Sequence, residues 1–307
     1  MKSIDRRTFL LATGALVMVA CSSDGEEAGG SPHLHGDGDE AGDSGGGNSG
    51  GGDAGDGFIL VERFPRNLTV PGPLRLAYSI ADAATGDVQS DGPDTLSGRI
   101  VDIDGSVVVD GLQASKRRVS EGIVYWAFRP TIETIGTYTL QVEGGTKDGS
   151  AIGVYDPATI SVPSFGQQLP PFDTPTTTDA AGVDPICTRV EGGPCPFHDI
   201  TLTEALASGK PVAYIIGTPA HCEFGTCAPG LEFLINSAAR LGDALIVVHS
   251  EVFTDDSATV PAPAVEAYSL DFEPVIFLAD RSGQIVGRLE GAWDQTELDE
   301  SLDALVA

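Results

Sequence analysis

The sequence predicts a multidomain protein in which an all-β region precedes an α/β region, and three observations carry that expectation. Residues 58–162 place Val, Ile, Tyr and Phe in short runs divided by Gly, Pro, Asp and Ser, with no helix-period stretch among them. Residues 187–307 alternate helix signals with short continuous apolar runs, the mark of an α/β unit. Between them, residues 163–186 hold Pro163, Pro170, Pro171, Pro175 and the run from Thr176 to Thr178, a composition that keeps a chain extended and marks an interdomain linker. A length of 307 residues has room for two such domains.

Two further segments lead the chain. Residues 1–20 start basic and pass into an apolar run too short to cross a bilayer comfortably, which is the pattern of a signal peptide. Arg6-Arg7 followed by Thr8, Phe9 and Leu10 resembles the twin-arginine export signal. Met18-Val19-Ala20-Cys21 resembles a lipobox, which implies that Cys21 carries a lipid anchoring the protein to the cell membrane on its extracytoplasmic side. Residues 21–57 are Gly- and Asp-rich, contain no Lys or Arg, and offer only Leu34 as a large aliphatic side chain. They cannot bury enough apolar surface to fold and are expected to form a disordered tether. His33 and His35, with Asp37, Asp39 and Glu40, are expected to be solvated spacer rather than a metal site. Lys+Arg 17 against Asp+Glu 45 gives a formal charge of -28, which repels phosphate backbones and argues against nucleic acid as a partner.

In the β region, strands are expected at 74–80, 98–103, 106–109, 123–128, 137–142 and 159–162, with Asp104-Gly105 and Asp110-Gly111 as turns. About seven short strands in roughly 105 residues resemble an immunoglobulin-like sandwich, and Gly136-Thr137-Tyr138 sits where that fold places a corner tyrosine. The region shows no nucleophile, metal cluster or glycine loop, so its expected role is spacer or partner-binding module. Lys116, Arg117 and Arg118 are expected in a solvated loop.

In the α/β region, Thr201-Leu202-Thr203-Glu204 reads as a capping box opening a helix that ends near Gly209. A buried strand follows at 211–217. A loop bearing Cys222 and Cys227 then leads into a helix with Leu231, Leu234, Ala238 and Leu241 on one face. Further strands are expected at 244–249, 275–280 and 284–289, the last two joined by Arg281-Ser282-Gly283. Asp294 and Glu297 cap a final helix striped by Leu298, Leu302 and Leu305.

This order resembles the thioredoxin fold over residues 200–307. Glu273-Pro274-Val275, followed by strand, glycine turn, strand, Gly291 and terminal helix, is similar to the C-terminal half of that family. The resemblance implies a cis peptide bond before Pro274, with the proline facing the redox cysteines where a substrate peptide pairs.

Five cysteines less Cys21 leave an even number in an oxidising, exported setting, which permits two disulfides. Cys187 with Cys195 and Cys222 with Cys227 are the expected pairs because each closes a short loop. The first is expected as a structural staple turned by Gly192, Gly193 and Pro194. Cys222 and Cys227 occupy the strand-to-helix position where the thioredoxin family places its redox pair, and a helix N-terminus favours thiolate over thiol. His221 stands beside Cys222 as a second stabiliser of negative charge. The family separates its cysteines by two residues and this chain by four, and Ala228-Pro229 put the helix start beside Cys227. The family's buried acid on the preceding strand aligns to Ile216, so resolving a mixed disulfide requires water or another base.

The resemblance therefore implies thiol-disulfide exchange with protein thiols or disulfides of exported proteins. Cys222 attacks, Cys227 resolves and Pro274 orders the substrate, with no cofactor and no metal. The alternative is a non-catalytic binding scaffold whose cysteine pairs are both structural. A third reading is a copper-handling or peroxide-reducing relative, with His249 the only histidine after the cysteines.

Overall fold

A computed structural model describes residues 57–307. The export segment, Cys21 and the tether up to residue 56 lie outside the described residues, and no described helix is long and apolar enough to cross a membrane.

The β region contains β1 (Phe58–Glu62), β2 (Gly72–Pro73), β3 (Leu76–Asp82), β4 (Thr95–Asp102), β5 (Val107–Ser120), β6 (Ile123–Phe128), β7 (Thr131–Ile132), β8 (Gly136–Val142) and β9 (Ser150–Val154). Apart from the short β2-β7 pair, these strands form one antiparallel seven-stranded sheet in the order β1-β3-β6-β5-β4-β8-β9. β5 accounts for its shape. The strand pairs with β4 from Val107 to Ser115 and with β6 from Lys116 to Ser120, so one element serves both halves of a sheet folded over on itself. Alternate residues point inward, as the two-residue strand period demands. Leu76, Tyr78 and Ile80, Val124, Trp126 and Phe128, and Tyr138, Leu140 and Val142 thus share one core between the halves. The Tyr138 hydroxyl donates back to the Thr134 carbonyl at 3.0 Å.

Three expectations for this region change. Asp110-Gly111 does not end a strand. Gly98 pairs with Leu112 and Ile100 with Val109, so β5 carries an extra residue there, and Gly111 at φ 66 forms a bulge in a continuous strand. Residues 159–162 are not a strand, because Asp156 caps a 3-10 turn over Pro157–Thr159 and the last strand is β9. The basic run is not a loop but part of β5. Lys116 lies 3.0 Å from Asp91 and 2.9 Å from Asp94, and Arg117 reaches Asp294 at 3.1 Å and Glu300 at 2.8 Å.

The α/β region consists of α1 (Leu202–Ala207), β10 (Val212–Ile216), α2 (Cys227–Leu241), β11 (Ile246–Ser250), α3 (Pro263–Ala267), β12 (Val275–Ala279), β13 (Ile285–Glu290) and α4 (Gln295–Val306), with a 3-10 turn at Gly242–Ala244. Its sheet runs β11-β10-β12-β13, with β10 and β11 parallel and β12 antiparallel to both its neighbours. This agrees with the thioredoxin-like arrangement expected for residues 200–307. The capping box holds, with Thr201 accepting from the Glu204 backbone at 3.1 Å and Glu204 accepting from the Thr201 backbone at 2.8 Å. Every residue of β10 and β12 is buried. Leu231 and Leu234 of α2 meet Leu298 and Leu302 of α4 over one face of the sheet. Asp294 caps α4, accepting from the Glu297 backbone at 2.7 Å. Glu297 does not complete a capping box, because its carboxylate is turned into a buried ionic network.

That network ties the two regions together, and the described residues form a single compact unit. Arg75, just before β3, donates to both Glu297 oxygens at 2.8 Å and to the Glu290 carbonyl at 3.1 Å. Tyr125 donates to Glu297 at 2.6 Å, and Arg129 donates to it as well. The stretch 163–186 is not a free connection. Gly166 and Leu169 donate to the carbonyls of Ile285, the first residue of β13, and Gly283 in the turn before it, and Ile285 donates back to Gln167. Leu169 and Val183 are buried.

Candidate active site

β10 delivers the chain to the site. Its five buried residues end at Gly217 and Thr218, and the loop then turns at residues 222–225, where the Gly225 N–H donates to the Cys222 carbonyl and Gly225 takes φ 65. Cys222 is half-buried on this turn, flanked by exposed Glu223 and Phe224. Cys227 is the first residue of α2 and is buried at 1% exposure. The two sulfurs are joined in a disulfide with a Cα–Cα distance of 6.0 Å. The pair is thus asymmetric, one sulfur near solvent and the other under the helix end.

Glu273 and Pro274 face Cys227 from the start of β12, across a cis peptide bond. The Glu273 carboxylate lies 3.4 Å from the Cys227 sulfur and accepts from the Thr218 N–H at 2.7 Å. Burial pushes its pKa from 4.5 up to about 8, against the opposing pull of the Thr218 N–H. That brings it close to the ordinary thiol value of about 8.5, where a proton passes between carboxyl and sulfur at little cost. Ile216 is buried on β10, so no acid stands on that strand. The acid beside the sulfur stands instead at the entrance to β12, and Glu273 is a candidate that the sequence did not single out. Its position directly before the proline was the available signal.

Gly217 packs where no side chain fits freely. An added Cβ would sit 3.1 Å from Pro274 Cβ and 3.7 Å from the Cys227 sulfur. Gly217→Ala is expected to push Pro274 and Cys227 apart and cost about 1–3 kcal/mol in thermal or urea unfolding. Unchanged stability in that variant would show that the site absorbs the methyl group.

His221 makes its described contacts away from the sulfurs. Its ring lies edge-on to Phe253 at 6.4 Å, with Nε2 3.7 Å from Asp256.

Cys187 and Cys195 also depart from expectation, because both are buried free cysteines rather than a disulfide. Gly192 and Gly193, at φ 77 and 76, return the loop as foreseen. The sulfurs meet two imidazoles, however. Cys195 Sγ lies 3.3 Å from His198 Nε2 and 3.4 Å from His249 Nδ1. A hydrogen bond between the thiols lowers the pKa of Cys187 and raises that of Cys195. Two side-chain groups among the described residues therefore have metal-ligating character: this one, and Cys222 and Cys227 with Glu273.

No protein-family profile matches the chain, and no curated protein matches it. Among solved structures it is similar to a proposed thiol:disulfide interchange protein DsbE from Chlorobium tepidum, at 17% identity and TM-score 0.34 over 47% of this chain and 99% of that one. It is similar also to a thiol:disulfide interchange protein of the thioredoxin family from Chlorobium tepidum TLS, at 11% identity and TM-score 0.33 over 47% and 99%. The filamin domain of Lin-41 aligns at 18% identity and TM-score 0.19 over 29% of this chain and 81% of that one. Likenesses this distant carry no chemistry to this chain. The geometry of Cys222, Cys227, Glu273 and Pro274 has to supply it.

Proposed function

We propose that the protein exchanges thiols and disulfides with exported proteins through the Cys222–Cys227 pair. The observation that carries this reading is the asymmetric disulfide at the start of α2, with the Glu273 carboxyl 3.4 Å from the inner sulfur and Pro274 beside it. A substrate thiolate attacks the accessible Cys222 sulfur. The Cys222–Cys227 bond breaks, its electron pair leaves on Cys227, and the Glu273 carboxyl supplies the proton that quenches the new thiolate. A second substrate thiolate attacks the substrate sulfur of the mixed disulfide. That releases a substrate disulfide and the Cys222 thiolate, and two electrons have passed to the pair. In the opposite direction the Cys222 thiolate attacks one sulfur of a substrate disulfide, breaking its S–S bond, releasing the other sulfur as a thiolate and forming a mixed disulfide on Cys222. Glu273 then takes the Cys227 proton, and Cys227 attacks Cys222 to release the reduced substrate.

Insulin reduction by dithiothreitol tests the reading. The wild-type protein is expected to accelerate it, Cys222→Ser to lose the acceleration by about 10³-fold or more, and Cys227→Ser to trap a mixed disulfide visible on a non-reducing gel. Turnover unaltered by Cys222→Ser would reject the assignment and leave a scaffold with a structural disulfide.

The immunoglobulin-like sandwich belongs to the same proposal as a partner-binding or spacing module. So does a lipid on Cys21, supported by the apolar run that ends just before it. Cys21→Ser is expected to move the protein from the membrane fraction to the soluble one. Retention in the membrane fraction would dismiss the lipid.

A further inference from the structure

Outside the redox pair, the molecule gathers four soft or borderline ligands in its interior. Cys187, Cys195 and His198 come from the loop before α1, and His249 comes from β11. Their exposures are 5%, 4%, 1% and 1%, so the cluster is closed to solvent. One donor atom from each residue lies within 4.8 Å of all the others.

We propose that these four residues form a structural zinc site. Tetrahedral zinc, with bonds of about 2.3 Å to sulfur and 2.0–2.1 Å to nitrogen, sets its ligand atoms about 3.3 Å apart between nitrogens and about 3.6 Å apart between nitrogen and sulfur. The structure places His198 Nε2 and His249 Nδ1 3.2 Å apart, and Cys195 Sγ 3.3 and 3.4 Å from them. Those three edges lie close to the tetrahedral values, and Cys187 Sγ lies within 4.8 Å of each of the three donors.

The surroundings favour the metal too. His249 Nε2 donates to the Gly217 carbonyl at 2.9 Å, which leaves its Nδ1 lone pair facing the cluster. The Cys195 N–H points at Cys187 Sγ at 3.4 Å, a contact that favours a thiolate there. Two thiolates and a divalent cation sum to zero charge, which suits a site inside the apolar core. A Cys187–Cys195 disulfide would instead leave two imidazole nitrogens facing each other without a shared acceptor. With two sulfurs and two nitrogens and no open position, the donor set fits a closed zinc site rather than a catalytic one. Its effect is to fasten the loop before α1 onto β11.

The test uses the full chain with Cys222→Ser and Cys227→Ser, which removes the other thiolate pair, alongside the wild type. Protein purified without chelator and then gel-filtered is expected to carry about one zinc per chain by plasma mass spectrometry. Replacement with Co²⁺ is expected to give the visible bands of tetrahedral thiolate-imidazole coordination. Cys195→Ser and, separately, His198→Gln are expected to abolish both signals. If those variants fail to fold, the stoichiometry and cobalt spectrum of the parent proteins still decide. The proposal is overturned if the reduced, folded parent proteins hold no zinc and give no tetrahedral cobalt spectrum. A Cys187–Cys195 disulfide found by peptide mass mapping in metal-free protein as isolated would overturn it as well. None of these readouts depends on thiol-disulfide exchange, so the redox assignment and the zinc assignment stand or fall separately.

Discussion

Glu297→Ala is expected to lower the thermal midpoint by roughly 10 °C, since breaking a buried ion pair costs about 3–5 kcal/mol and each kcal/mol moves a chain of this size by about 2–4 °C. The loss is large because the carboxylate is shared. Its side chain is 0% exposed and that of Arg75 only 6%, and without Glu297 the Arg75 guanidinium and the Tyr125 hydroxyl stay inside without the carboxylate that both hydrogen-bond. Burial alone would raise the Glu297 pKa, but Arg75, Tyr125 and Arg129 overcome it and hold the group at about 2. A carboxylate depressed in the folded state stabilises above its ordinary pKa. The wild type should therefore lose stability as pH falls from 4.5 toward about 2, and Glu297→Gln should lose less over that window. Arg75→Met with Glu297→Leu should cost less than the sum of the single changes, since an apolar pair leaves fewer buried charges stranded. A midpoint for Glu297→Ala within about 2 °C of wild type would mean that the junction between the regions draws its strength elsewhere.

Glu273→Gln is expected to slow thiol-disulfide exchange by about 10²-fold or more while making the folded protein more resistant to alkali. The two effects share one origin. The carboxyl titrates near 8 in the folded state against 4.5 ordinarily, so the folded protein binds the extra proton across that interval. The stability linked to that proton is fully present below 4.5 and disappears as pH rises through about 8, where a charged carboxylate must be held in the interior. Glutamine keeps the shape and removes the titration. The pH–rate profile should lose its limb near 8, and the denaturation midpoint at about pH 9 should exceed that of the wild type. A variant with wild-type rates at every pH would exclude Glu273 from proton transfer.

Much of the α/β region was legible because its signals are local. The Thr201-to-Glu204 box, the apolar β10 and the stripe on α4 each lie within one element, and each formed as read. The β region was legible in kind but not in its limits. Asp-Gly marks a hairpin turn and a bulge alike, and only the pairing of β4 with β5 separates the two at Asp110-Gly111. The loop bearing Cys222 and Cys227 is legible from its place between strand and helix, whereas Glu273 is one acid among many in an acidic chain. The Cys187 and Cys195 site misled for another reason. Short-range counting favours pairing the sulfurs, while the ligand that changes their chemistry arrives from β11, far along the chain at His249. The close spacing of Cys195 and His198 was the clue at hand.

The segment from Gly166 to Leu169 settles a different matter by lying along β13. An open strand border is a template on which a second molecule can polymerise. Here the chain's own backbone already occupies the first residue of that border, Ile285, and the turn before it. A second strand adding to β13 would have to displace these bonds at the Ile285 end, so the edge is not open along its full length.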